Sequence, residues 1–225
     1  DSAFNECIKL TSLTIPSTAK MEWYCLSGSR IEDLTIRTTQ IEIEYPISGL
    51  DTLQKVTVDA PFVPRWAFHA CENLTTIVFT DKVKTIESAA FMDCVSLTEV
   101  TIPHGIETIQ GDAFSNTAIR ELIIPGSVTA FAGSKNCPNL ERVVLPESVK
   151  EVSNFENCPN LKYVDLEDVE TINEHTFENC TGLESIDLSN VTYIDRGAFS
   201  GCSSLTDIIW PQQTADIDSS LFENC

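Results

Sequence analysis

One spelling recurs along the chain. It reads "NFENCPNL" at 154–161, "TFENCTGL" at 176–183 and "AFSGCSSL" at 198–205, each 22 residues after the last. A fixed period of this size is the mark of stacked repeats, in which each unit buries its apolar face only against its neighbours. With cysteine as the ruler, the marks fall at Cys7, Cys25, Cys71, Cys94, Cys137, Cys158, Cys180, Cys202 and Cys225, and Leu50 and Thr117 fill two gaps. Steps of 18 to 25 residues then tile all 225 residues in ten units and leave no stretch for a second domain.

Each unit has the same internal grammar. Leu stands three residues after the mark, and x-x-apolar-x-apolar follows, as in "LTEVTI" (97–102), "LERVVL" (140–145) and "LESIDL" (183–188). Period-two alternation reads as a short strand. Proline often closes it, at Pro16, Pro103, Pro125, Pro146 and Pro211, where a missing N–H costs no ladder bond. A second apolar pair comes next (Ile106 and Ile109, Val149 and Val152), then Ala-Phe-x-x-Cys. Equivalent residues of adjacent coils would stack about 4.8 Å apart, so Phe and Cys columns fit a continuous interior.

These residues resemble a known family. "LTEVTIPHGIETIQGDAFSNTAIRELIIP" (97–125) is similar to the BspA-like, treponemal-type leucine-rich repeats, and the resemblance covers essentially the whole chain. It implies a right-handed, curved solenoid of about ten coils with a parallel β-sheet on its concave face and turns or short 3₁₀ segments opposite. It also implies a secreted or cell-surface protein that binds host matrix, another cell or a glycan. The units at 25–50 and 50–71, with Tyr45-Pro46 and Pro61/Pro64, are expected to be irregular. In the unit with Phe131 the ring takes the Ile column, and "GSKNC" replaces Ala-Phe-x-x-Cys. Both ends fall mid-unit, so the chain is expected to be truncated at each, with end-to-end association as one way to cover them.

The chemistry expected is sparse. Buried free thiols are the main reading of the cysteines, since Leu50 and Thr117 share their column; a disulfide between rungs is the alternative, and Cys25, beside Trp23 and Tyr24, is the rung expected to depart. No C-x₂₋₄-C pair suits zinc. His69, His104 and His175 occupy three different columns, and no G-x-S-x-G, P-loop or H-E-x-x-H occurs, so neither catalysis nor a cofactor nor a metal is expected. Asn73, Asn179 and Asn190 begin glycosylation-type triplets. A formal net charge of -20 makes nucleic acid and anionic membrane poor partners and favours solubility or a basic partner. No 18-residue apolar run crosses a membrane.

The expected working surface is the outward side of the strands. One column reads Glu99, Glu121, Arg142, Tyr163, Ser185 and Asp207; the next reads Thr101, Ile123, Val144, Asp165, Asp187 and Ile209. Any exposed strand favours β-branched residues. Ile123 and Val144, flanked by Glu121, Arg142 and Tyr163, nonetheless form the core of a candidate protein-binding strip, and Asp165 and Asp187 would draw a cation or a basic side chain. An adhesion module using this face is therefore expected; an intracellular scaffold or a spacer displaying another domain is the alternative.

Overall fold

A computed structural model describes residue 4, residues 7–21, residue 26 and residues 28–41, 47–211 and 220–225. The expected irregularities at Cys25 and at Tyr45-Pro46 lie outside these residues. Among the described residues the chain is a parallel-strand solenoid without a helix. In chain order its strands are β1 (Ser12–Ile15), β2 (Lys20–Met21), β3 (Asp33–Ile36), β4 (Gln40–Ile41), β5 (Lys55–Val58), β6 (Phe62–Val63), β7 (Thr76–Phe79), β8 (Thr85–Ile86), β9 (Thr108–Ile109), β10 (Glu121–Ile123), β11 (Ala130–Phe131), β12 (Arg142–Val144), β13 (Glu151–Val152), β14 (Tyr163–Val164), β15 (Thr171–Ile172), β16 (Ser185–Asp187), β17 (Tyr193–Ile194) and β18 (Asp207–Ile209).

The strands form two faces. The Leu-x-x-apolar-x-apolar segments make a long-strand face, ordered β1-β3-β5-β7, β10-β12-β14 and β16-β18. The second apolar pair, which alternation alone leaves unassigned, makes a short-strand face, ordered β2-β4, β6-β8-β9-β11 and β13-β15-β17. Every pairing is parallel with equivalent repeat positions in register: Thr14, Thr35, Thr57 and Val78 align on one face, and Val63, Ile86, Ile109 and Phe131 on the other. Phe131 thus takes the Ile column, as its spacing indicates.

The interruptions are staggered. Contrary to the strand expected from its period-two alternation, segment 97–102 forms none, so the long-strand face opens between β7 and β10, yet β8 and β9 pair across the same level. The long-strand face opens again between β14 and β16, where β15 and β17 remain paired. The short-strand face opens between β11 and β13, where β10 and β12 are paired. Contrary to expectation, the coil with Pro61 and Pro64 is regular. Both prolines sit where no strand N–H is required, and the Pro61 carbonyl accepts from Lys84 N at 2.7 Å.

The Ala-Phe-x-x-Cys turns form a third wall. Alternate amides of one turn donate to the next coil: Trp66, Phe68 and Ala70 N–H reach the carbonyls of Ser88, Ala90 and Met92 at 3.2, 2.8 and 2.9 Å. The same arrangement recurs at Phe177 and Asn179, which donate to Ala198 and Ser200 at 2.8 Å each. The residue before the cysteine-column position has positive φ in Ala70, Asp93, Asn116, Asn136, Asn157, Asn179, Gly201 and Asn224, Asn116 preceding Thr117 and the others a cysteine. Asn, Asp and Gly tolerate that left-handed conformation best, which explains the composition of this column.

Inside the wall the Phe rings stack. Centroids lie 5.1 Å apart for Phe68–Phe91, 5.6 Å for Phe91–Phe114, and 5.8 and 5.4 Å along Phe155–Phe177–Phe199. The coil of Cys137 lacks this ring, and Ser134 is buried in its place. Phe131 leans in from the short-strand face instead, 6.0 Å from Phe155 at a 52° tilt. Gly133 permits the close packing there, because a Cβ would meet the Ser153 carbonyl oxygen at 2.1 Å.

Candidate functional site

The cysteine column has a structural task. Each described thiol is free. Cys94, Cys180 and Cys202 Sγ donate to the carbonyls of Phe68, Phe155 and Phe177, in the preceding coil, at 3.2, 3.2 and 3.1 Å. The same kind of carbonyl also accepts its own turn's cysteine N–H, as Phe177 does from Cys180 at 3.1 Å. A thiol therefore satisfies a buried second lone pair that alanine would leave unmet. Thr117 fills the column with a hydroxyl donating to Phe114 O at 2.8 Å. Burial pushes the Cys71 and Cys202 thiols up to about 12 and raises Cys94 and Cys180 as well, the opposite of an activated nucleophile.

The histidines do not converge. His104 is exposed in the turn that follows segment 97–102. His175 lies between Glu174 and Glu178, at 3.2 and 3.0 Å. His69 joins three coils: Nε2 is 2.9 Å from Asp93 Oδ2, and Nδ1 is 3.2 Å from Ser48 Oγ. Spacing gave no signal of this Ser–His–Asp contact. The two amides after Ser48 are engaged within the fold, Gly49 N donating to His69 O at 2.8 Å and Leu50 N to Ile47 O at 3.3 Å, so neither is free to stabilise an oxyanion. The Asp93 carboxylate also accepts from Asn116 Nδ2 at 2.6 Å, so the contact continues an inter-coil ladder of turn side chains. The same ladder logic bears on the glycosylation-type triplets. Asn73, Asn179 and Asn190 Nδ2, the atoms that would carry a glycan, donate to Asp51 O, Asn157 Oδ1 and Glu167 O at 2.6, 2.9 and 2.8 Å.

The long-strand face holds the remaining candidates. Register places Glu121, Arg142 and Tyr163 in one row. Arg142 Nη1 lies 3.0 Å from Glu121 Oε1, and its guanidinium carbon lies 5.3 Å from the Tyr163 ring centroid. The arginine thereby lies between a carboxylate and an aromatic ring, although exposure keeps each contact weak. In the neighbouring column Ile123 is 54% exposed, and Val144 beside it is only half-buried, so Ile123 presents most of the apolar surface.

Asp165 and Asp187 do not share a ladder, because they flank the opening between β14 and β16. Asp165 Oδ1 accepts from Glu167 N at 3.2 Å and Asp187 Oδ1 from Ser189 N at 2.9 Å, turning the chain at each strand end. The Ser189 backbone bond also holds the Asp187 carboxyl below its ordinary value. The opening is a groove of about 720 Å³ whose lining includes Tyr163, Asp165, Glu167, Asp187, Asp207 and Ile209. Asp207 and Ile209 belong to the outward columns, but nothing in their spacing marks a groove beside them.

Comparison with known proteins accords with this architecture. The profile described as BspA type leucine rich repeat region matches in six copies, over residues 1–60, 44–134 and 130–225. A leucine-rich repeat protein of T. pallidum is similar in structure, with a TM-score of 0.59 and 22% identity over 88% of this chain and 79% of that one. One from Eubacterium ventriosum gives 0.55 and 20%, over 90% of this chain and 66% of that one. At these identities the likeness is one of fold. A search of curated proteins found no match.

Proposed function

Because the chain belongs to the BspA-type leucine-rich repeat family, we propose that it is a non-enzymatic protein-binding module of the cell surface or extracellular space, using its long-strand face to hold a protein or glycan of a host matrix or another cell. The carrying observation is the Glu121–Arg142–Tyr163 row beside exposed Ile123. It joins an apolar centre to an aromatic and an arginine, the residue types that concentrate binding energy at interfaces. The turn wall and the buried thiols support this reading, because their polar groups are engaged in holding coils together.

Two experiments test it. Protease added to intact source cells should degrade the repeats without lysis; protection until lysis would overturn the surface assignment and favour an intracellular scaffold. Matrix proteins and glycans should then be screened against the folded wild type and the Arg142→Glu/Tyr163→Ala variant. Loss of about 2 kcal/mol or more of binding is expected for a central anchor. Equal binding by the variant would remove this row from the site.

A further inference from the structure

The two outward columns have different characters on either side of β14. Towards the N-terminus, a carboxylate and a cation pair within the row, as Lys55 Nζ does with Asp33 Oδ2 at 2.9 Å and Arg142 with Glu121. Beyond β14 the cations disappear from the face. The groove between β14 and β16 is lined by four carboxylates, Asp165, Glu167, Asp187 and Asp207, against Lys162 alone. No backbone hydrogen bond joins the two strands across it, although each is paired on its other side. Asp165 and Asp187 hold the same repeat position on opposite sides, and like charges directly opposed across a ladder destabilise its closure. The walls also carry apolar surface: Tyr163 is 47% and Ile209 59% exposed.

We propose that this groove is a docking site for an extended, lysine- or arginine-rich segment of a partner protein. Basic side chains reach the carboxylates, and their aliphatic stems lie on Tyr163 and Ile209, as long cationic side chains cover apolar surface while keeping the charge hydrated. Charge complementarity selects this occupant: the groove offers acceptors and apolar wall but almost no positive charge. The proposal rests on the binding-module reading above, and it adds the partner's chemistry and a location at the C-terminal end of the Arg142 row, with which the groove shares Tyr163.

The test is fluorescence anisotropy on the full chain with a labelled, alternating Lys–Val peptide, and with Ser–Val and Glu–Val peptides of the same length. The Lys–Val peptide should bind, weaken steeply with salt, and bind about tenfold less tightly to Asp187→Asn/Asp207→Asn. Asparagine keeps the Oδ1 acceptor for Ser189 N, so the fold at that turn is retained, and circular dichroism checks it. Glu147→Gln/Glu170→Gln removes two carboxylates elsewhere and should bind as wild type. Equal binding of the Ser–Val peptide would overturn the proposal, as would an equal loss in the Glu147/Glu170 variant, which would mean diffuse attraction to an acidic protein. Arg142→Glu separates the two readings. If it abolishes capture of a screened ligand while Lys–Val binding ignores Asp187 and Asp207, the groove proposal fails and the module reading stands. If Lys–Val binding depends on the groove and ligand capture ignores Arg142, the groove stands and the row falls.

Discussion

At the scale of single residues, the cysteine column is legible as packing, and its chemistry becomes visible only in the stack. The S–H group answers a carbonyl in the preceding coil, which no linear spacing reports. Two outcomes follow. A thiol reagent near pH 8 should modify exposed Cys225 and half-buried Cys7 rapidly and leave Cys71, Cys94, Cys180 and Cys202 unmodified until denaturant is added. Thiols with folded values near 12 rather than the ordinary 9.0 keep their protons when unfolded ones lose them. Stability is therefore fully present below pH 9 and falls as pH rises towards 12, by up to ~1.4 kcal/mol per pH unit per thiol. Urea melts at pH 8 and 10.5 should show a smaller alkaline loss in Cys202→Ala than in wild type. Ser134 makes the opposite case. Its buried Oγ has no hydrogen-bond partner, so Ser134→Ala should be neutral or stabilising by up to about 1 kcal/mol, measured by the same melts. A clear destabilisation would mean that the hydroxyl is satisfied.

At the scale of elements, the turn wall is as ordered as the strands. Asn157 shows why. Its φ is 57°, its Nδ2 donates to Asn136 Oδ1 and its Oδ1 accepts from Asn179 Nδ2, each at 2.9 Å. Asn157→Ala loses both bonds and strains the backbone; Asn157→Gly loses the bonds alone. The alanine variant should therefore be less stable than the glycine variant by about 1–2 kcal/mol in equilibrium unfolding. Equal losses would show that the side-chain ladder, and not the left-handed conformation, selects asparagine here.

At the scale of the whole molecule, staggered openings let the solenoid interrupt one face while another carries the stack. Coils in such a fold couple only to their neighbours, so cooperativity depends on each interface. Near segment 97–102 the turn wall and the short-strand ladder carry that coupling, with Phe91 N donating to Ala113 O at 2.9 Å and Thr108 N to Lys84 O at 3.2 Å. Thr108→Pro removes this donor where the long-strand face is already open. It should lower the urea m-value or split the transition in two, since the halves would unfold separately. One sharp transition with an unchanged slope would place the coupling in the turn wall and the Phe stack.

Period, column and alternation determined the repeat, the long strands, the buried Phe and Cys columns and the outward position of Glu121, Arg142 and Tyr163, because each depends on contacts between equivalent residues of adjacent coils. The short-strand face was legible only as an apolar pair, two residues being too few to display a period. Where the ladders open, how Ser48, His69 and Asp93 meet, and that Asp165 and Asp187 flank a groove with Asp207 and Ile209 were decided by the tertiary structure. Those features depend on how closely one coil approaches the next, a distance between coils that no single repeat encodes.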